Sequence, residues 1–325
     1  MIRRLRASAL ACGLGAGFLL GVVATGHAAS GNPADTVLDR ARAAIAGHEF
    51  SGVVRLTWWD SAGAHHRDVR VVATDGALKL DRGAVVGDDG RTWMRDGRSW
   101  DTLWAQPRDP KAPSLGGKYE ATTAAGPPVV GRPTRVLILE HDDEVAERMI
   151  VDRETGLVLR RVLYDGGRPA LRSEFVELTD LRARTGDFDP PKIGTDAPEA
   201  VAPGDAPRRL GDGYALVGAQ EVDGERQLQY SDGVFNASVF ERDGELDWSE
   251  LPEGGRATRV GGVRVRAYRT AEGSVLAWQA NGHTWTCVTD APAADRAAIV
   301  AALSRSDDSS WSEVSRFLTA PFRWV

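Results

Sequence analysis

The chain has 325 residues, of which 26% are charged and 42% are hydrophobic, and these are the proportions of a folded soluble protein. Its formal net charge is −6, and removing the three arginines of a predicted leader leaves 37 Lys and Arg against 46 Asp and Glu, a net charge of −9. A field of that sign argues against partners held through net charge alone, such as nucleic acid or an anionic membrane surface. The two cysteines are Cys12 and Cys287. Because Cys12 lies in the leader, the exported chain cannot form an internal disulfide.

The first residues have the order of parts of a secretory signal peptide. Arg3, Arg4 and Arg6 precede an uncharged run over residues 7–25, and the small-residue segment Gly26-His27-Ala28 follows. This pattern predicts export to the periplasm or another extracytoplasmic part of the envelope, with residues 1–28 removed. An uncleaved N-terminal membrane anchor is the alternative, because the uncharged run is just long enough to cross a bilayer.

A helix opens the exported chain. Asn32 can cap it, Pro33 suits its first position, and Gly47 lies just past its end. The apolar residues between Ala34 and Ile45 fall on one face, so the helix is expected to lie on a sheet.

Short alternating segments then predict many antiparallel strands, with hairpin turns such as Asp96-Gly97 between them. Together with the helix they indicate an α+β class, with a half-barrel antiparallel sheet over residues 32–186 whose face is hollow. The residues between Pro107 and Pro128 are expected to form a loop rich in Pro and Gly. The predicted strands cover 53–59, 68–73, 77–80, 92–95, 98–103, 135–140, 145–151, 157–164 and 170–178.

Residues 187–209 carry five prolines without periodicity, which is typical of a linker. A smaller, mostly β domain over 210–304 is predicted to follow, closed by a helix from Pro292 to Leu303 that Asp290 caps. Residues 305–325 are predicted to form a tail with a short helix near Trp311. The second domain's predicted strands cover 214–222, 227–230, 234–241, 263–269, 275–280 and 283–289.

Tryptophans give the lead on a binding site. Trp93 and Trp100 bracket one predicted hairpin turn, and Trp278 and Trp285 bracket another, so each pair is expected to face directly across its hairpin. A half-barrel rich in tryptophan either packs as an ordinary core or leaves a cavity for an acyl chain. The candidate lining of such a lipid pocket is Leu56, Trp58, Trp93, Trp100 and Trp104.

Motifs for catalysis are missing from the sequence. It contains no Gly-x-Ser-x-Gly elbow and no phosphate loop that ends in Gly-Lys-Ser/Thr. His65 and His66 are adjacent on a strand, so their side chains diverge and do not form a metal site. We therefore expect a protein that is not an enzyme and that has no catalytic residues, metal or cofactor.

Two segments carry a resemblance to a known family. They resemble the MucB/RseB family of periplasmic regulators, and they are Tyr230-Ser231-Asp232-Gly233-Val234 with Ala237-Ser238-Val239-Phe240, and the turn from Asp152 to Arg160. Further matches at Phe50-Ser51-Gly52, at Gly213-Tyr214-Ala215-Leu216 and over residues 289–303 extend the resemblance over nearly the whole exported chain. Val234 stands where the family has Leu. The residues taken as the family signature, with a mainly structural role, are Tyr230, Ser231, Asp232, Gly233, Ser238, Val239 and Phe240.

The resemblance implies an N-terminal domain like the lipoprotein carriers LolA and LppX, a half-barrel covered by helices, and a smaller C-terminal domain. It further implies binding to the extracytoplasmic part of a membrane-spanning anti-sigma factor, protection of that partner from proteolysis, and a response to lipid or lipoprotein during envelope stress. The alternative is a periplasmic lipid or lipoprotein carrier without a regulatory partner. A secreted enzyme is a third reading. The sequence leaves open whether copies of the chain form a homo-oligomer.

Overall fold

The computed structural model of the protein describes residues 33–60, 62–74, 77–80, 83–88, 91–96, 99–105, 118–183, 206–211, 213–222, 225–271 and 273–305. Between residues 77 and 105 the description covers the backbone and not the side chains. The predicted leader, most of the predicted linker and the predicted tail helix lie outside the described residues. Within the described ranges, no helix has the length and apolar character needed to cross a membrane.

Two open antiparallel sheets dominate the structure, and only two helices accompany them in the described ranges. The antiparallel sheets with few helices that the sequence predicted are therefore confirmed, in a structure that is mostly β. The N-terminal unit consists of helix α1 (Pro33–Gly47) and the eleven strands of the first sheet, in the order β6-β5-β4-β3-β2-β1-β11-β10-β9-β8-β7. The strands are β1 (His48–Asp60), β2 (Gly63–Thr74), β3 (Ala77–Leu80), β4 (Gly83–Asp88), β5 (Arg91–Asp96), β6 (Ser99–Ala105), β7 (Glu120–Val129), β8 (Arg132–His141), β9 (Glu144–Asp152), β10 (Val158–Asp165) and β11 (Arg168–Ala183).

Helix α1 begins at Pro33 as predicted, ends at Gly47, one residue later than predicted, and buries its apolar side. Strand alternation puts Leu56, Leu137, Met149 and Leu163 on the core side of the first sheet, and each is at most 1% exposed. The helix packs into the same core, and we call this side of the sheet the inner face. The opposite side is the outer face.

The C-terminal unit consists of the eight-stranded second sheet and helix α2 (Ala293–Leu303). Its strand order is β12-β13-β14-β15-β19-β18-β17-β16, and its core includes Leu228, Val239 and Ile299, all fully buried. The strands are β12 (Arg209–Leu210), β13 (Tyr214–Val222), β14 (Glu225–Ser231), β15 (Asn236–Asp243), β16 (Arg256–Val260), β17 (Val263–Thr270), β18 (Gly273–Ala280) and β19 (His283–Thr289).

Four strands were not predicted. The expected loop before residue 128 contains most of β7, the short β12 lies where the predicted linker ends, and β4 and β16 were missed entirely. Strand β7 lies at the edge of the first sheet, and at an edge Gly126, Pro127 and Pro128 are tolerated because one side of the strand needs no pairing. Edge position therefore explains why a segment with the composition of a loop forms a strand.

The two tryptophan hairpins differ from each other. Trp278 pairs with Trp285 as predicted, and their rings stack with centroids 6.1 Å apart. The first hairpin has another register, in which Trp100 pairs with Arg95 and Trp93 pairs with Thr102, so the predicted Trp93–Trp100 pair is wrong. Asp96 pairs with Ser99 and is therefore a strand residue instead of a turn residue, and this moves every cross-strand partner.

The predicted cap of α2 is also wrong. Pro292 occupies the N-cap position without a side-chain hydrogen bond. The Asp290 carboxylate instead accepts from the backbone N–H of Asn236 at 2.7 Å, because it is buried between strands.

Candidate functional site

The signature segment forms a closed loop between β14 and β15. Asp232 Oδ1 accepts from the backbone N–H groups of Val234 at 2.9 Å and Phe235 at 2.8 Å. Ser231 Oγ donates to Phe235 O and accepts from the N–H of Gly233. Gly233 has φ +98°, a conformation that favours glycine. Each polar residue of the segment therefore has a local structural task.

The same carboxylate also reaches the N-terminal unit. Asp232 Oδ2 accepts from Lys118 Nζ at 2.7 Å and from the hydroxyl of Tyr119 at 2.6 Å, while Asp232 itself is 1% exposed. A single buried carboxylate therefore closes the loop and ties the two units together. Sequence reasoning assigned Asp232 to structure but missed these partners, which lie more than 100 residues away in the chain.

Two tyrosines and a second carboxylate complete this contact. Tyr214 donates to Asp295 Oδ2 at 3.0 Å, and Lys118 lies between the two carboxylates, 3.6 Å from Asp295. Burial, and then the charge of Asp232, raises the pKa of Tyr119 and of Tyr214, so both hydroxyls remain donors. We call these residues, namely Lys118, Tyr119, Tyr214, Asp232 and Asp295, the junction cluster.

A buried ion pair lies behind the junction cluster. Glu147 and Arg161 pair on the inner face with both side chains at most 1% exposed, and Arg161 Nη2 donates to Val234 O at 3.2 Å. Burial raises the pKa of Glu147, while Arg161 opposes that shift. Burial also raises the pKa of Asp290 to about 7.

A third connection joins the turn after β10 to helix α2. Asp165 accepts from the backbone N–H of Ala293 at 2.9 Å, and from Arg269 and Arg296 at 3.3 Å. An acidic group suits this position because the first N–H groups of a helix have no partner within the helix. Together the three connections fix the arrangement of the two units through buried or half-buried charges.

The remaining signature residues support the second sheet. Tyr230 donates to Pro207 O at 3.0 Å and is 1% exposed, and Val239 is fully buried. Ser238 and Phe240 lie half-buried on the opposite side of β15.

The residues of the candidate lipid pocket have different locations. Leu56 is a core residue at 1% exposure, and Trp58 is partly buried beside that core with its ring stacked on His65 at 5.4 Å. The backbones of Trp93, Trp100 and Trp104 lie in β5 and β6, and their side chains are outside the described residues. That these five residues line one pocket therefore stays a prediction.

The structure has a hollow on the outer face, the opposite side of the sheet from Leu56. Its volume is about 430 Å³, and strands β1 and β7–β11 contribute its walls. Apolar side chains alternate there with Arg148, Arg160 and Arg172. Sequence reasoning missed this hollow, although the placement of Trp59 opposite Trp58 on β1 followed from strand alternation.

Comparison with solved structures shows a likeness over both units. A chain in the structure of the Pseudomonas aeruginosa MucA/MucB complex aligns with 82% of this chain and 97% of its own length, at 21% identity and a TM-score of 0.50. A structure of MucB aligns over 82% and 96% at 20% identity, with a TM-score of 0.47. A LolA superfamily protein from Nitrosomonas europaea aligns over 79% and 90% at 7% identity, and its TM-score of 0.20 carries no weight. No family model matches the sequence, and no curated protein matches it either.

Proposed function

Starting from a fold that is MucB-like over both units, we propose that this chain is an exported, non-enzymatic regulator that binds the extracytoplasmic part of a membrane-spanning anti-sigma factor. The observation that carries the proposal is the alignment with the chain from the MucA/MucB complex, which spans 97% of that chain. The signature loop supports it, because Asp232 closes the loop with Oδ1 and holds the arrangement of the units with Oδ2.

The proposal extends to how the regulator works. Bound to its partner in the periplasm, the chain limits proteolysis of that partner, and a lipid or lipoprotein signal of envelope stress releases it. A ligand produces release only if it binds one arrangement of the two units more tightly than another. The junction cluster is a suitable place for such a difference, since its bonds would break if the units separated.

Finer structural expectations belong to this proposal as well. They are a LolA-like half-barrel over 32–186, a linker over 187–209, a C-terminal domain over 210–304 and a tail over 305–325. The hollow on the outer face favours a second candidate function, a lipid or lipoprotein carrier that has no regulatory partner.

The test is protection from proteolysis. The extracytoplasmic fragment of a single-span membrane protein encoded beside a sigma factor is digested with and without the chain. We expect the chain to slow cleavage at equimolar concentration. An Asp232→Ala variant, which loosens the junction, is expected to protect less, whereas Asp247→Ala, at an exposed turn, serves as the matched control. Equal cleavage with and without the chain would contradict the regulatory function and leave the lipid or lipoprotein carrier as the remaining candidate function.

A further inference from the structure

We propose that the hollow on the outer face is a binding site for a single-chain amphiphile with an anionic head group, a carboxylate or a phosphate. The proposal rests on the proposed function in one respect, because it supplies the ligand class for the lipid signal. It places that ligand on the face of the sheet opposite Leu56 and Trp58.

The strand registers place the hollow in two neighbouring rows of side chains. One row runs Ala124, Val136, Ile150, Arg160 and Glu174 across β7, β8, β9, β10 and β11. The next row runs Ile138, Arg148, Val162, Arg172 and Thr57 across β8, β9, β10, β11 and β1. Apolar side chains therefore form the floor, and arginines stand among them at spacings of one or two strands.

Positive charge exceeds negative charge at this place. Arg160 pairs with Glu174, and Arg172 Nε lies 3.8 Å from the same carboxylate. Arg148 lies over the ring of Tyr164 at 5.9 Å, with no carboxylate of the described residues in an ion pair with it. Three arginines thus share one glutamate, in a chain whose net charge is negative. This excess fits an anion.

Buried polar atoms at the same place lack hydrogen-bond partners. Arg160 Nε and Arg172 Nε are both shielded from solvent without an acceptor, and so is Thr57 Oγ1 on a residue that is 5% exposed. Thr57 stands directly opposite Arg172. An unpaired buried donor is costly. Arg160 and Arg172 line the hollow, so turning their guanidinium groups toward the oxygens of a head group would give these donors charged acceptors.

The size and shape of the hollow indicate one chain. About 430 Å³ is near the lower end of the roughly 300–1,000 Å³ range of ligand pockets. Trp59 and Tyr164 also line it, and the Arg172 guanidinium carbon lies over the ring of Trp59, 5.7 Å from the ring centroid. An aliphatic tail can lie on the floor of Val136, Ile138 and Ile150 while the head group meets the arginines. A lipid with several acyl chains exceeds this volume.

Calorimetric titration of the purified chain tests the site, with dodecanoate and dodecyl phosphate below their micelle concentrations. Dodecyl maltoside is the uncharged control ligand, and a phosphatidylglycerol vesicle is the two-chain control. We expect saturable one-to-one binding of the anionic probes, at least about tenfold tighter than the uncharged one, because hydrogen bonds to charged groups account for a difference of that size. Equal binding of the charged and uncharged single chains, preference for the vesicle, or no binding would overturn the proposal.

Two variants locate the site. Arg148→Gln removes a charge that stabilises no described carboxylate, and Ala124→Trp fills the hollow from the exposed edge strand β7. Each is expected to weaken dodecanoate binding about tenfold or more. Arg135→Gln, one residue from Val136 and on the other face of β8, is the matched control and should leave binding unchanged. If Arg135→Gln weakens binding as much as the two variants do, the ligand does not occupy this hollow.

These measurements involve the chain alone. If the amphiphiles do not bind but the chain still protects its partner from proteolysis, the proposed binding site is refuted and the proposed regulatory function is not. If the amphiphiles bind but the chain does not protect its partner, the regulatory function is refuted and the lipid-carrier function is favoured.

Discussion

Replacing Asp232 by Ala tests whether the signature loop holds the two units together. The change removes the acceptor of four donors: Lys118 Nζ, the Tyr119 hydroxyl and the N–H groups of Val234 and Phe235. Breaking a buried ion pair costs about 3–5 kcal/mol, and hydrogen bonds to a charged group are each worth about 1.5–3 kcal/mol. Lys118 keeps Asp295 at 3.6 Å and partial access to water, so the four losses do not add fully.

We therefore expect Asp232→Ala to lower the free energy of unfolding by about 3–5 kcal/mol. Tyr119→Phe, which removes one of the four bonds, is expected to cost about 1.5–3 kcal/mol. Urea unfolding followed by circular dichroism and by tryptophan fluorescence measures both. Asp247→Ala, at an exposed turn of the same unit, controls for the loss of an aspartate. A cost for Asp232→Ala below about 1 kcal/mol, or one equal to that of the control, would refute the reasoning.

Three further predictions concern single residues. Because folded Asp290 keeps its proton up to a pKa of about 7, whereas an unfolded Asp releases it near 4, stability should fall as the pH rises from about 4 to about 7. Asp290→Asn should flatten that slope in urea titrations, and an unchanged slope contradicts the assignment. Burial raises the pKa of the Cys287 thiol to about 12, so a thiol reagent should label it only after denaturation, and rapid labelling of the native chain would contradict its burial. Gly156 has φ +83°, and an added Cβ would lie 2.8 Å from Arg40 O in α1. Gly156→Ala should therefore cost about 1–3 kcal/mol in thermal or urea unfolding, and a neutral change would contradict this docking of the helix.

Local patterns in the sequence predicted much of the fold. Helix α1 followed from its Pro and Gly boundaries, and the Trp278–Trp285 pair followed from a two-residue turn. The predicted pairing of Trp93 with Trp100 was wrong because a change in the register of a hairpin changes every cross-strand partner. Composition alone does not determine that register. Strand β7 was missed because its edge position, which tolerates proline, depends on the whole sheet.

The sites depend on contacts between distant segments. Asp232 was singled out by its motif, yet its bond to Lys118 spans 114 positions and has no local signal. The hollow likewise needs the registers of six strands before Arg172 stands opposite Thr57 and Arg148 lies two strands from Arg172. Alternation along β1 separated Trp58 from Trp59, and it gave no indication of which face holds a ligand.

The central claim is that the chain binds an anti-sigma factor in the membrane. The most direct measurement is a capture experiment from solubilised membranes with tagged residues 29–325, in which co-purified proteins and lipids are identified by mass spectrometry. We predict a near-stoichiometric single-span membrane protein encoded beside a sigma factor. Recovery of lipid or lipoprotein without such a protein would contradict the claim and support the carrier.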